Sequence, residues 1–241
     1  MTAKEKMNSI NMTARIVGGL FIAELVVYMI GSTLTEGLLK SPDYLIKLAE
    51  NKNQIITGVF LEAIVAACLV FIGVMMYPTL KRHSETIARG YFGIRIVEAV
   101  ITAGYLFIHL SIFALSQEYL NAGGPETSIS QTLGALLKDG LNFAYQIHIF
   151  FYGLGCLMLF GLLFKATLVP QFISILGLIT TVLMLIGLVF DMYGFGVGME
   201  IYGSPIGLCQ IFLGIWLIVK GFNSSAIDSE FAGIDVNERL K

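Results

Sequence analysis

Six runs of predominantly apolar residues, near 14–34, 54–78, 90–116, 141–164, 169–191 and 201–221, constrain this chain more than any other feature. A helix rises about 1.5 Å per residue and the hydrocarbon core of a bilayer is about 30 Å thick, so each run is long enough to cross. No water is available there to the backbone N–H and C=O groups, and a helix satisfies them internally. The expected fold is therefore all-α, a polytopic six-helix transmembrane bundle. Charged residues supply 13% of the chain, about half the share usual in soluble proteins, as that fold requires.

The polar segments between the runs set the arrangement. Lys4, Lys6, Arg15, Lys81, Arg82, Arg89, Lys165 and Lys220 flank one side, whereas Lys40, Lys47, Lys52 and Lys138 flank the other. Positive charge stays inside, so both termini are expected in the cytoplasm, in keeping with an even number of spans. The first run exceeds the apolar core of a signal peptide and no A-x-A site follows it, so it reads as a retained helix. "TLKRHSETIAR" and "KATLVP" are short cytoplasmic connections, with Pro170 opening the fifth span. In the outer loop "SPDYLIKLAENK", Ser41 is the expected N-cap and Pro42 the first helical residue, with Asp43 favoured by the dipole. "GGPETSISQTLGALLKD" breaks at its glycines and proline, then places Ile129, Leu133, Leu136 and Leu137 at helical spacing. Each outer loop is expected to carry a short amphipathic helix. Residues 1–222 form one membrane domain on this reading, and the polar stretch 223–241 is a flexible cytoplasmic tail.

A formal net charge of −2 gives no basic face, which excludes nucleic acid as a partner. Cys68, Cys156 and Cys209 fall inside apolar runs without a CxxC pair and read as small buried hydrophobes. There is no nucleophile elbow, Walker loop or dinucleotide fingerprint, so no enzyme class is indicated and no cofactor is expected. The partner the composition demands is a lipid bilayer.

The ionisable residues inside the runs carry the functional argument. At 100° per residue, Arg95, Glu98, Thr102, Tyr105 and His109 lie within an arc of roughly 80°. Asn142, Tyr145, His148, Tyr152 and Cys156 share a face of the fourth run, Glu24, Tyr28 and Ser32 of the first, and Gln54, Gly58 and Glu62 of the second. A charge at the centre of a span costs about 3 kcal/mol on insertion scales, so such residues face an interior, pair, or line a wetted cavity. Four polar faces thus imply an intramembrane pocket that binds or transports a small molecule or ion. Its candidate ligand-binding residues are Glu24, Glu62, Arg95, Glu98, Tyr105, Tyr145 and Tyr152. Arg95 and Glu98 have the spacing of a helical ion pair. Glu24 and Glu62 have no opposite charge nearby in sequence, which makes them the candidate proton carriers that would supply coupling. A broken helix would favour transport, and Pro205 in "VGMEIYGSPIGL" is where one is expected.

Two other readings follow from the same residues. Counted along their helices, Glu62, His109 and His148 all lie roughly 10–12 Å below the outer surface. Two imidazoles and a carboxylate at one level suit a transition metal such as zinc or iron, and two facing histidines suit a haem. That combination would make an intramembrane metal- or haem-dependent enzyme or redox protein. Alternatively the polar groups only fix helix packing in a non-catalytic accessory or sensory subunit.

The stretches "ARIVGGLFIAE" at 14–24, "PTLKRHSETIARGYFGIRIVEA" at 78–99, "LVPQFISILGLI" at 168–179 and "IWLIVKGFNSSAI" at 215–227 occur in this order along the chain. Together they resemble the bacterial membrane proteins of the domain-of-unknown-function 4386 family, over nearly the whole length. The resemblance implies a polytopic inner-membrane protein of a bacterium. The family pattern implied here includes Gly90 with Tyr91, Arg95, Glu98 with Ala99, the "LVP" at 168–170 and "WLIVKGF" at 216–222, and Glu62 falls where these proteins tend to have an acid. His109 and His148 lie outside that pattern, and Gln171 stands where relatives often place arginine.

Overall fold

The computed structural model describes residues 3–123 and 128–223, with side chains from residues 7 and 129 onward in the two stretches. The expected tail beyond residue 223 and the break at residues 124–127 lie outside the described residues. Every regular element among them is helical: α1 (Ala3–Leu39), α2 (Tyr44–Glu50), α3 (Lys52–Lys81), α4 (Glu85–Asn121), α5 (Ser128–Lys165), α6 (Gln171–Met192) and α7 (Met199–Val219). All but α2 are long and apolar enough to cross a membrane. Several outrun the apolar runs that announce them, most of all α1 and α5. A helix needs no hydrocarbon to continue, and its polar ends are free to extend into headgroups and water.

Three local expectations are corrected. Ser41 does not cap α2, because it is taken up in closing α1: its N–H bonds back to the Leu38 carbonyl, just as that of Lys40 bonds to Glu36. Pro42 stays in the turn, and Asp43 occupies the N-cap position without a side-chain cap bond. The helix expected near Ile129 exists, but it is continuous with the fourth span as the first turns of α5, unbroken by Gly134 or Gly140. The helix does not break at Pro205, which lies inside α7. Proline there removes one backbone donor close to the helix start, a loss that a packed membrane helix tolerates. Pro170 behaves as expected apart from one position of register, forming the N-cap of α6.

The chain forms two compact units, to both of which α1, α3, α4 and α5 contribute. The first contains the described parts of Met1–Ala23, Phe71–Arg95 and Tyr152–Lys241. Its packing relies on close approach at glycine. A Cβ on Gly18 of α1 would stand 2.6 Å from the Gly214 carbonyl oxygen of α7, and one on Gly187 of α6 would stand 2.4 Å from Tyr202 Cβ. In lipid, where apolar surface gains little from leaving one apolar solvent for another, such contacts hold helices together. Asn223 ties the end of α7 to the α5–α6 turn, its N–H reaching the Leu168 carbonyl at 2.8 Å and its side-chain amide the Thr167 carbonyl at 2.6 Å.

The second unit contains Glu24–Val70 and Ile96–Phe151. Gly31 of α1 and Gly58 of α3 make another close crossing: a Cβ on Gly58 would lie 3.0 Å from the Gly31 carbonyl oxygen. The short α2 is built into this unit's core, with Leu45 and Leu48 buried in one cluster with Ile55, Tyr105, Leu106, Ile112 and Leu141. Gln117 fastens its end, donating to the Ala49 carbonyl at 3.2 Å. Near its start Lys138 stands over the Tyr44 ring, 5.1 Å from the centroid. Tyr44 lies outside the spans, and loss of water raises its hydroxyl pKa above the ordinary phenol value.

Candidate functional site

The polar face predicted on α4 is turned inward throughout: Arg95, Glu98, Thr102, Tyr105 and His109 are all buried. So are Glu24 and Glu62. The two units nevertheless divide the candidate residues, with Arg95 and Tyr152 in the first and Glu24, Glu62, Glu98, Tyr105 and Tyr145 in the second.

In the second unit the polar groups form a connected cluster on four helix segments. Thr35 of α1 donates to Glu62 Oε1 of α3 at 3.0 Å. The Tyr105 hydroxyl of α4 lies near both the Glu62 carboxyl and the Thr102 hydroxyl. Thr102 in turn lies 3.2 Å from Nδ1 of His148 on α5 and donates to the Glu98 carbonyl at 2.9 Å. Nδ1 of His109 bonds to the Tyr105 carbonyl at 3.1 Å. Aromatic rings enclose these bonds. Tyr105 meets His109, Tyr145 and His148 edge to face at centroid separations of 6.0, 6.1 and 5.8 Å, and Tyr145 stacks on His148. The hydroxyls of Tyr145 and Tyr28 are hydrogen-bonded to each other.

The protonation of the imidazoles follows from this bonding. A carbonyl can only accept, so Nδ1 of His109 carries a proton. The one hydroxyl hydrogen of Thr102 is committed when it bonds to the Glu98 carbonyl, and Nδ1 of His148 is then the donor to Thr102. Among the described residues, no three His, Cys, Asp or Glu side chains gather closely enough to hold a metal ion. His109 and His148 both border Tyr105 without forming such a group with Glu62.

In the first unit, Arg95 is held by apolar and aromatic neighbours as well as polar ones. Its Nε donates to the Tyr91 hydroxyl at 3.1 Å, and its guanidinium lies over the Tyr91 and Phe21 rings, 5.5 and 6.0 Å from their centroids. Tyr152 donates to Gln210 Oε1 at 2.8 Å, and Gln210 Nε2 donates to the Phe21 carbonyl at 3.2 Å. A cavity of about 10 Å³ borders Arg95, Tyr91, Tyr152 and Gln210. That admits about one water, whereas small-molecule sites begin near 300 Å³. A larger hollow of about 310 Å³ runs along α6 among Val182, Leu185, Ile186, Val189 and Phe190. It presents no polar group and suits lipid chains.

Sequence periodicity missed Thr35 and Gln210. A threonine in a helix gives no sign of its role, but a lone glutamine in the apolar run of α7 was a visible signal. Asn142, grouped with the polar face of α5, is exposed. It lies about 120° from His148 around the helix, at the edge of the predicted arc.

Six apolar spans and buried ionisable groups define a polytopic membrane protein. The chain belongs to the family described as "Domain of unknown function (DUF4386)", which it matches over residues 16–221. Both polar clusters fall within that match. No curated relative and no solved structure matches the chain.

Proposed function

We propose that the protein is a proton-responsive membrane protein of the bacterial inner membrane, whose polar cluster around Glu62 takes up and releases protons to drive binding or transport of a small molecule or ion. One observation carries this reading. The Glu62 carboxyl is 3% exposed and accepts a hydrogen bond from the Thr35 hydroxyl, and among the described residues it makes no ion pair. A carboxyl held by a hydroxyl inside a membrane span changes its charge when it binds a proton, and no lysine or arginine among the described residues pairs with it. Intramembrane carboxyls of this kind mark proton and ion pathways. The Lys and Arg bias of the loops supports cytoplasmic termini.

The experiment is an infrared pH titration of the full chain reconstituted in bilayers. The expected result is a carboxylic-acid C=O band that rises and falls with pH in the wild type and is missing in Glu62→Gln. Identical pH-difference spectra for the two proteins would overturn the proposal.

A further inference from the structure

Along its first half, one apolar face of α5 is left exposed by the described residues. We propose that this face is a dimer seam, along which α5 packs in parallel against α5 of a second copy of the chain.

The period of the apolar residues carries the argument. Ile129, Leu133, Leu136, Phe143, Ile147 and Phe150 are each at least 43% exposed, and with Gly140 they fall at alternating steps of four and three residues. Three heptads of this kind put every member on one stripe of a helix slightly underwound to 3.5 residues per turn, the pattern of a left-handed coiled coil. The same alternation runs on along the helix as far as Phe164. Tyr145 and His148 lie about 130–170° round the helix from the stripe, so pairing here leaves the polar cluster facing its own unit.

Depth argues for protein rather than lipid as the covering. Asp139 is exposed and marks a level outside the hydrocarbon. From there α5 continues without a break to Ser128. At about 1.5 Å per residue, Leu133 stands about 9 Å and Ile129 about 15 Å beyond that level. Headgroups occupy only about 5–7 Å at each end of a span, so both side chains reach water. A stripe expected to lie on the membrane surface is instead carried clear of it, because the helix is continuous with the span. Lipid covers Phe143, Ile147 and Phe150 but does not reach Ile129 and Leu133, which gain by leaving water.

Symmetry and area name a second copy as the occupant. Copies of one chain share a single orientation in the bilayer, so α5 meets itself in parallel, with each seam residue beside its own counterpart. An apolar stripe at heptad spacing is complementary to itself in that arrangement. The six side chains, 43–81% exposed, offer on the order of 700 Å² per copy, within the roughly 600–1,000 Å² that each partner gives to a specific interface. A Cβ on Gly140 would meet nothing within 4 Å, which leaves room for the facing helix at the centre of the stripe.

The test uses the full chain in the membranes of the cells that express it, with Cys68→Ser as background, since the other two cysteines are buried. Under mild oxidant, Ile129→Cys and Leu136→Cys should each yield a disulfide-linked dimer. Ala135→Cys, exposed but off the stripe, should not, since Cα atoms more than about 7 Å apart cannot be bridged. In detergent, light scattering should find the dimer lost when Leu133→Glu and Leu136→Glu are combined, with the helical circular dichroism of the wild type retained. If that double variant misfolds, the cross-links decide alone. Failure to cross-link at both seam positions, or cross-linking as readily at Ala135→Cys, would overturn the seam. So would a cross-link from the seam to a protein of different mass.

Discussion

A single methyl group distinguishes two glycines of the same helix. A Cβ on Gly31 would stand 2.9 Å from Cγ of Glu62 and 3.2 Å from the Gly58 carbonyl oxygen, whereas one on Gly19 would meet nothing within 4 Å. Gly31→Ala is therefore expected to destabilise the protein by about 1–3 kcal/mol, the usual cost of overpacking. Gly19→Ala should be neutral, or stabilising by up to about 1 kcal/mol through helix propensity. Thermal unfolding in detergent compares the two, and Gly31→Ala should also displace the Glu62 C=O band. The inward face of α4 was legible in the sequence because a helix repeats its direction every three to four residues and hydrocarbon penalises ionisable side chains strongly. Thr35, which gives Glu62 its clearest hydrogen bond, was not legible, since which residues of α1 stand opposite α3 depends on where the two helices cross. Gly31 and Gly58 set that crossing, and glycines in apolar runs are too common to single out a pair.

Helices were easier to find than to delimit. The six apolar runs located all six long helices, because length and hydropathy are properties of one segment taken alone. Their ends depend on competition between neighbours. Ser41 and Pro42 look like the start of a helix, yet the end of α1 captures the Ser41 N–H first. Pro205 looks like a break, yet α7 continues past it from Met199 to Val219. The α1–α7 crossing gives the sharpest expectation at this scale. Gly18 and Gly214 bring two backbones together so closely that Cβ atoms would lie 2.6 and 3.1 Å from the facing carbonyl oxygens. Gly18→Val or Gly214→Val should cost about 3 kcal/mol, since backbone rather than a flexible side chain would have to move. A thermal unfolding curve for either variant that overlays the wild type would contradict this account of α1 against α7.

A bilayer solvates the molecule through side chains that would be liabilities in water. Val100, Phe107, Phe60, Phe71 and Phe172 are all more than half exposed and fall within the spans. Lipid is the medium in which that exposure costs nothing. Val100→Lys should therefore cost about 2.5–3.5 kcal/mol of insertion, the price of a charge near the middle of a span. Ile129→Lys, at a more exposed residue ahead of the apolar part of α5, should cost little. The yield of membrane-inserted protein for each variant against wild type reads the difference directly. Composition sufficed to choose this solvent, but the division of the polar residues between two units was beyond the reach of periodicity. Arg95 and Glu98 are three residues apart on one face of α4 and still belong to different units.

The seven residues of α2 anchor the loop between α1 and α3. Leu48 is fully buried in the same cluster as Ile55 and Tyr105, so a connection that could have been left to the solvent is part of that unit's interior. Prising it away would lay the interior open.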